Sequence, residues 1–262
     1  MNTIFSCGIK INPIPTDEII NITDKWLSDK NKGFQITGIN LEQIALLSKN
    51  KQFSNYINSS DIVNIDGMIV YWYLKIKGYK NVQRTLCADI LIRMLQIANE
   101  RKEKVYLLGA TQETIEQLVK NIQHQYPNID IVGFHNGYFK NEKEIVNDIA
   151  ICNPDYLFIG MPSPFKERFI TTYKKELNTG ICFGVGGMFD ILAGKAQRAP
   201  KQIQSLGLEW LYRITQNPVG HSKRILRAFI PCIKVFCKHL FEKKAANNPK
   251  IRKQSQWQSQ LQ

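Results

Sequence analysis

Several chemistries are excluded by what the sequence does not contain. There are only four histidines, His124, His135, His221 and His239, and none stands at a metal-ligand spacing such as HxxxH. The six cysteines, Cys7, Cys87, Cys152, Cys182, Cys232 and Cys237, form no CxxC pair and lie scattered through hydrophobic segments. They read as buried, reduced thiols rather than as disulfides or a metal site, so no metal is expected. No apolar run reaches the roughly 18 residues that a membrane-spanning helix needs. Met1–Pro13 lacks a basic start followed by a long apolar stretch, so no signal peptide is expected and the protein is placed in the cytoplasm. Gly184-Val185-Gly186-Gly187 lacks GxGxxG spacing and follows a late strand, which argues against hydride transfer. Gly109-Ala110-Thr111 is not followed by GK[ST], so it is no Walker loop.

What is present is an uneven charge. The 262 residues carry 35 Lys+Arg against 22 Asp+Glu, a net +13. From Lys201 onward there are 12 Lys+Arg and 2 Asp+Glu, a net +10, which leaves +3 for the first 200 residues. One end of the molecule is therefore built to meet something anionic, phospholipid or nucleic acid. Upstream of it, strand and helix patterns alternate. Strands are expected at Thr3–Ile11, Phe34–Ile39, Asp61–Ile65, Lys104–Leu108, Ile129–Gly133, Tyr156–Ile159 and Ile181–Val185. Helices are expected at Thr16–Leu27, from Asn40 through Leu47, at Met68–Lys77, Ala88–Asn99, after a Thr111 cap, at Glu142–Ile151 and at Pro164–Leu177. That alternation argues for an α/β fold, a mostly parallel sheet with helices on both faces. Gly67, Gly109, Gly160 and Gly184 close strands, where α/β folds place ligand contacts or simply turn tightly.

Individual residues leave two readings open. Asp66, before Gly67, is a general-base candidate or a turn cap. Arg198 and Arg213 suit a diphosphate or form a solvated basic face. In the tail, Arg224, Arg227, Lys234 and Lys238 fall at helical spacings beside an apolar set, Ile225, Phe229, Ile233, Phe236 and Leu240. This is a basic amphipathic helix with Pro231 as a candidate kink; it suits a membrane interface or packing on the protein's own core. The segment after Lys243 is polar and expected to be disordered. The domain reading is a core over 1–217, an appendage over 218–243 and a polar tail over 244–262.

Gly186-Gly187-Met188-Phe189-Asp190, then Ala193-Gly194, Arg198-Ala199-Pro200 and Gly207-Leu208-Glu209-Trp210-Leu211-Tyr212-Arg213 resemble the signature of the WecG/TagA/CpsF glycosyltransferase family. Leu107-Leu108-Gly109-Ala110, Gly133 with Gly137-Tyr138-Phe139, Asp66-Gly67 and Asn40 extend the likeness over roughly residues 3–227. The resemblance implies a Rossmann-like core with a helical, membrane-docking C-terminal appendage. It implies inverting transfer of an N-acetylmannosamine-type or related hexose from a UDP-sugar to a polyprenyl-diphosphate-linked sugar, for polysaccharide or teichoic-acid-like polymers. It implies no metal or other cofactor and a location on the inner face of the cell membrane. Asp66 would be the base. Arg198, Lys223, Arg224 and Arg227 would stabilise the leaving diphosphate. Thr37, Asn40, Arg84, Asp89, Gly109, Tyr138, Phe139, Gly160, Ser163, Lys166, Glu167, Gly186, Gly187, Phe189 and Asp190 would form the substrate site. The chain departs from the family pattern at Lys166, where glutamine is usual, and at Cys87, where glycine is usual. Asn217–His221 lacks the usual acid and early arginines, and Thr37 stands three residues before Asn40, one more than expected. A homo-oligomer stays open. Rival readings are a nucleic-acid-binding protein that uses the basic tail and an inactive scaffold of envelope enzymes.

Overall fold

A computed structural model describes residues 1–240. The expected first strand is a hairpin, β1 (Ile4–Ser6) and β2 (Ile9–Ile11), paired antiparallel with Ile4 opposite Ile11. Cys7 and Gly8 between them both have positive φ, 56° and 75°, the two-residue turn that matches strand twist. Helix α1 (Thr16–Ser28) leads to β3 (Phe34–Ile39), α2 (Leu41–Lys49), α3 (Phe53–Asn58) and β4 (Ile62–Ile65). Next come α4 (Met68–Ile76), α5 (Cys87–Arg101), β5 (Lys104–Gly109), α6 (Gln112–Gln125) and β6 (Asp130–His135). The described chain ends through α7 (Glu142–Cys152), β7 (Tyr156–Gly160), α8 (Phe165–Tyr173), β8 (Ile181–Gly184), α9 (Met188–Leu192), α10 (Lys201–Ser205), α11 (Glu209–Gln216) and α12 (Pro218–Leu240).

Strands β3 to β8 form one all-parallel sheet in the order β4-β3-β8-β7-β5-β6. Alternate residues of its strands feed opposite faces, as a pleated strand requires. Val105, Leu107, Tyr156 and Phe158 pack with α1, α5 and α6, whereas Tyr106, Leu108, Leu157 and Ile159 pack with α7 and α8. Covered on both sides, the central strands read as near-continuous apolar runs. A third cluster, around Ile39, Val63 and Ile65 at the β4 edge, unites the hairpin with α2, α3, α4 and α12.

Helix α12 is therefore built into the protein. Ala228, Cys232 and Val235, spaced i, i+4, i+7, are buried in that third cluster, and Phe236 stacks on Tyr73 of α4 with ring centroids 4.0 Å apart. The apolar set read from the sequence as one stripe divides, with Phe236 and Leu240 packing against that cluster and Ile233 facing outward. Leu226, Ile230 and Ile233 are also spaced i, i+4, i+7, but are offset from the buried set by two residues, roughly half a turn. They face outward, Leu226 at 69% and Ile230 at 63% exposure. The helix runs on through Pro231. The tail from 244 to 262 lies outside the described residues.

Candidate active site

A cleft of about 550 Å³ opens at the carboxyl ends of β3, β4, β7 and β8. β3 and β8 are neighbours in the sheet although far apart in sequence, and α/β sheets form their crevices where strand order reverses in this way. The volume falls within the ordinary range for small-molecule sites.

Asp66 follows β4 and faces this cleft. Its backbone N–H donates to the Ile39 carbonyl, 3.0 Å, and its Oδ1 accepts the Cys87 N–H, 2.9 Å. Cys87 is the first residue of the 15-residue α5, so the carboxylate sits at a helix N-terminus, where an anion is favoured. The Cys87 thiol fills the space over Gly38: a Cβ on Gly38 would lie 2.1 Å from the sulfur. Burial, with the Asp66 carboxylate adding to it, pushes this thiol well above its ordinary value, so it stays neutral.

Asn40 caps α2 reciprocally with Gln43. Asn40 Oδ1 accepts the Glu42 N–H at 2.9 Å, and Gln43 Oε1 accepts the Asn40 N–H at 3.1 Å. On the β7 side, Gly160 lets the Phe189 ring close over the strand end, since a Cβ there would sit 2.3 Å from the ring. Ser163, Lys166, Gly186, Gly187, Asp190 and a largely exposed Tyr138 complete the expected residues that line the cleft.

Most cations of the cleft are engaged. Arg84 donates to the Asp66 carbonyl, the Gln204 carbonyl and Glu209 Oε2 at 3.0, 3.3 and 2.8 Å, so it ties the Asp66 loop to α10 and α11. Arg198 pairs with Asp89 at 2.5 Å, and Arg224 pairs with Glu42. Arg213, by contrast, lines the cleft beside Gly187 with no partner among the described residues.

Other expected residues lie elsewhere. The Thr37 hydroxyl is buried against Ser60 at 2.8 Å, because adjacent residues of a strand point to opposite faces; Gly38 lines the cleft instead. Phe139 packs on Phe169 and His135 in the α7–α8 core. Gly109 backs onto Gly160, and Asp89 and Glu167 stand behind the cations that they pair with. Lys223 and Arg227 lie outside the cleft on the exposed flank of α12. Lining residues not picked out from the sequence include Gln43 and Trp210, whereas Arg213, read there beside Arg198 as suited to a diphosphate, does line the cleft. The capping spacing Asn40-x-x-Gln43 could have placed the first. Trp210 stands in the Gly207–Arg213 segment.

The family model for the WecG/TagA/CpsF glycosyltransferases matches residues 4–246. The chain belongs to this family. It is 31% identical over 199 residues to an N-acetylglucosaminyldiphosphoundecaprenol N-acetyl-beta-D-mannosaminyltransferase of Bacillus subtilis, covering 76% of this chain and 78% of that one. A protein of the same name from Staphylococcus aureus is 30% identical over 213 residues, covering 78% and 82%. For a glycosyltransferase of this family, the cleft just described is the candidate site of sugar transfer. Among the described residues no helix is long and apolar enough to cross a membrane, and no group of three or more His, Cys, Asp or Glu could hold a metal.

Proposed function

We propose that this glycosyltransferase transfers an N-acetylmannosamine-type hexose, with inversion, from a UDP-sugar to a polyprenyl-diphosphate-linked N-acetylglucosamine on an anionic membrane surface. The observation that carries the reading is one positioned carboxylate, Asp66, facing a cleft that also holds the unpaired Arg213. Inversion needs a base on one face of the anomeric carbon and charge stabilisation on the other. Asp66 Oδ2 takes the proton of the acceptor hydroxyl. The hydroxyl oxygen attacks the anomeric carbon while the bond to the donor diphosphate breaks on the opposite face. Arg213, with Arg198 and Arg224 once their carboxylates yield, meets the charge that develops on the departing diphosphate. Asp190 at the cleft rim suits the uridine. Side chains alone supply these roles, so the reading needs no metal.

Docking is assigned to α12. Its outward stripe of Leu226, Ile230 and Ile233 runs beside the exposed cations Lys223, Arg227, Lys234 and Lys238, a pattern that suits a bilayer with anionic headgroups on the cytoplasmic face. Phosphate-backbone binding requires no such apolar stripe, which disfavours nucleic acid as the partner. The test is direct: UDP-N-acetylmannosamine and a prenyl-diphosphate-linked N-acetylglucosamine, incubated with the protein, yield an inverted disaccharide product. No product, together with no shift of the melting curve by any UDP-sugar, would overturn the reading.

A further inference from the structure

Lys166 is almost wholly buried in the cleft floor, at 6% exposure, and Glu167 behind it is at 1%. Lys166 Nζ lies 2.7 Å from Glu167 Oε1 and also donates to Ser163 Oγ. Ser163 in turn donates to Glu167 Oε1 at 2.7 Å and accepts from Gln43 Nε2 at 2.8 Å. The lysine stem is pressed against β8, where a Cβ on Gly184 would lie 2.8 Å from its Cδ, so the ammonium is held in place. Gly184 pairs with Thr37, next to Gly38, and the Cys87 thiol over Gly38 feels the Lys166 charge. Lys166 lines the same cleft as Asp66, and on the glycosyltransfer reading that cleft holds the transferred sugar.

We propose that the net charge of the Lys166–Glu167 pair selects the donor sugar and, being zero, matches a hexose without an ionised substituent. This rests on the glycosyltransfer reading above. Two of the three ammonium N–H groups are used by Glu167 and Ser163, which leaves one for a hydroxyl or acetamido oxygen. Glu167 Oε2 is buried with no partner among the described residues. A sugar carboxylate would bring a second anion onto an ammonium that Glu167 already neutralises, in a site where charges are poorly screened.

The test compares UDP-N-acetylmannosamine with the corresponding uronic acid donor in wild type, Glu167→Gln, Lys166→Gln and the double variant. The ratio of kcat/KM for the anionic donor to that for the neutral donor should rise at least about tenfold in Glu167→Gln and fall by a similar factor in Lys166→Gln. In the double variant, neutral again, it should return to the wild-type value. The double variant also covers the case in which a single variant, left with an uncompensated buried charge, does not fold: its comparison with the remaining single variant still reads the ratio. A ratio constant across the series, with turnover of both donors falling together, would overturn the proposal and leave a purely structural pair. A wild type that transfers from neither donor would instead sink the glycosyltransfer reading itself, and the selectivity proposal with it.

Discussion

At the scale of single residues, the site separates groups that act from groups that hold. Asp66 keeps Oδ1 on the Cys87 N–H and lines the cleft. Asp66→Asn keeps the shape and removes the base of the proposed reaction. It should lower kcat by about 10²–10⁴-fold while donor affinity, read by thermal shift, stays near wild type. Turnover like that of the wild type would remove Asp66 from the chemistry. The arginines divide in the same way. Arg213→Ala should weaken donor binding, because no carboxylate competes for this guanidinium. Lys223→Ala and Arg227→Ala, outside the cleft, should leave donor binding unchanged in calorimetry. Sequence reasoning reached Asp66 and Arg198 because a carboxylate before a glycine, and an arginine within a recognisable segment, are local signals. It could not see that Arg84 spends its donors on the Asp66 and Gln204 carbonyls and on Glu209, since those partners lie up to 125 residues away along the chain. Thr37 misled for a simpler reason: one step along a strand moves a side chain to the other face.

At the scale of elements, the alternating strands and long helices were legible because their periods are strong, and β3 has the expected bounds, Phe34–Ile39. The short helices α3, α9 and α10, of five or six residues, carry too little periodicity to read, and one strand hid a two-residue turn at Cys7-Gly8. Helix α12 was legible as amphipathic, but the sequence does not say which apolar residues the body of the protein claims. That division yields a prediction. Serine at Leu226, Ile230 and Ile233 should weaken sedimentation with anionic vesicles while each substitution moves stability by only about 0.5 kcal/mol or less. Val235→Asp should unfold the protein, since it places a charge in the core shared by α12 and α4. Vesicle binding unaffected by the outward substitutions would take the membrane role away from this helix.

At the scale of the whole molecule, the buried thiols and phenols set a limit on the alkaline side. Burial pushes Cys182 and Cys232 up to about 12 from the ordinary 9.0, raises Cys87 well above it, and raises Tyr106 and Tyr156 from their usual 10.0. Each is an acid that the folded state keeps protonated. Above about pH 9 the unfolded chain releases these protons and the folded chain does not, so stability is full below pH 9 and declines toward pH 12. Urea midpoints measured from pH 8 to 11 should fall, and Cys182→Ala should reduce the slope. A flat profile to pH 11 would contradict the burial of these groups.

Helix α12 also joins two surfaces: Arg224, Ile225 and Phe229 line the cleft, while Leu226 and Ile230 look outward from the same turns. Held on a bilayer by that outward edge, the enzyme would search for its acceptor in two dimensions. Its rate would then saturate with the mole fraction of acceptor in the lipid, not with the amount of acceptor per volume of solution. Diluting the acceptor with inert lipid at constant total acceptor would slow it, as in surface-dilution kinetics.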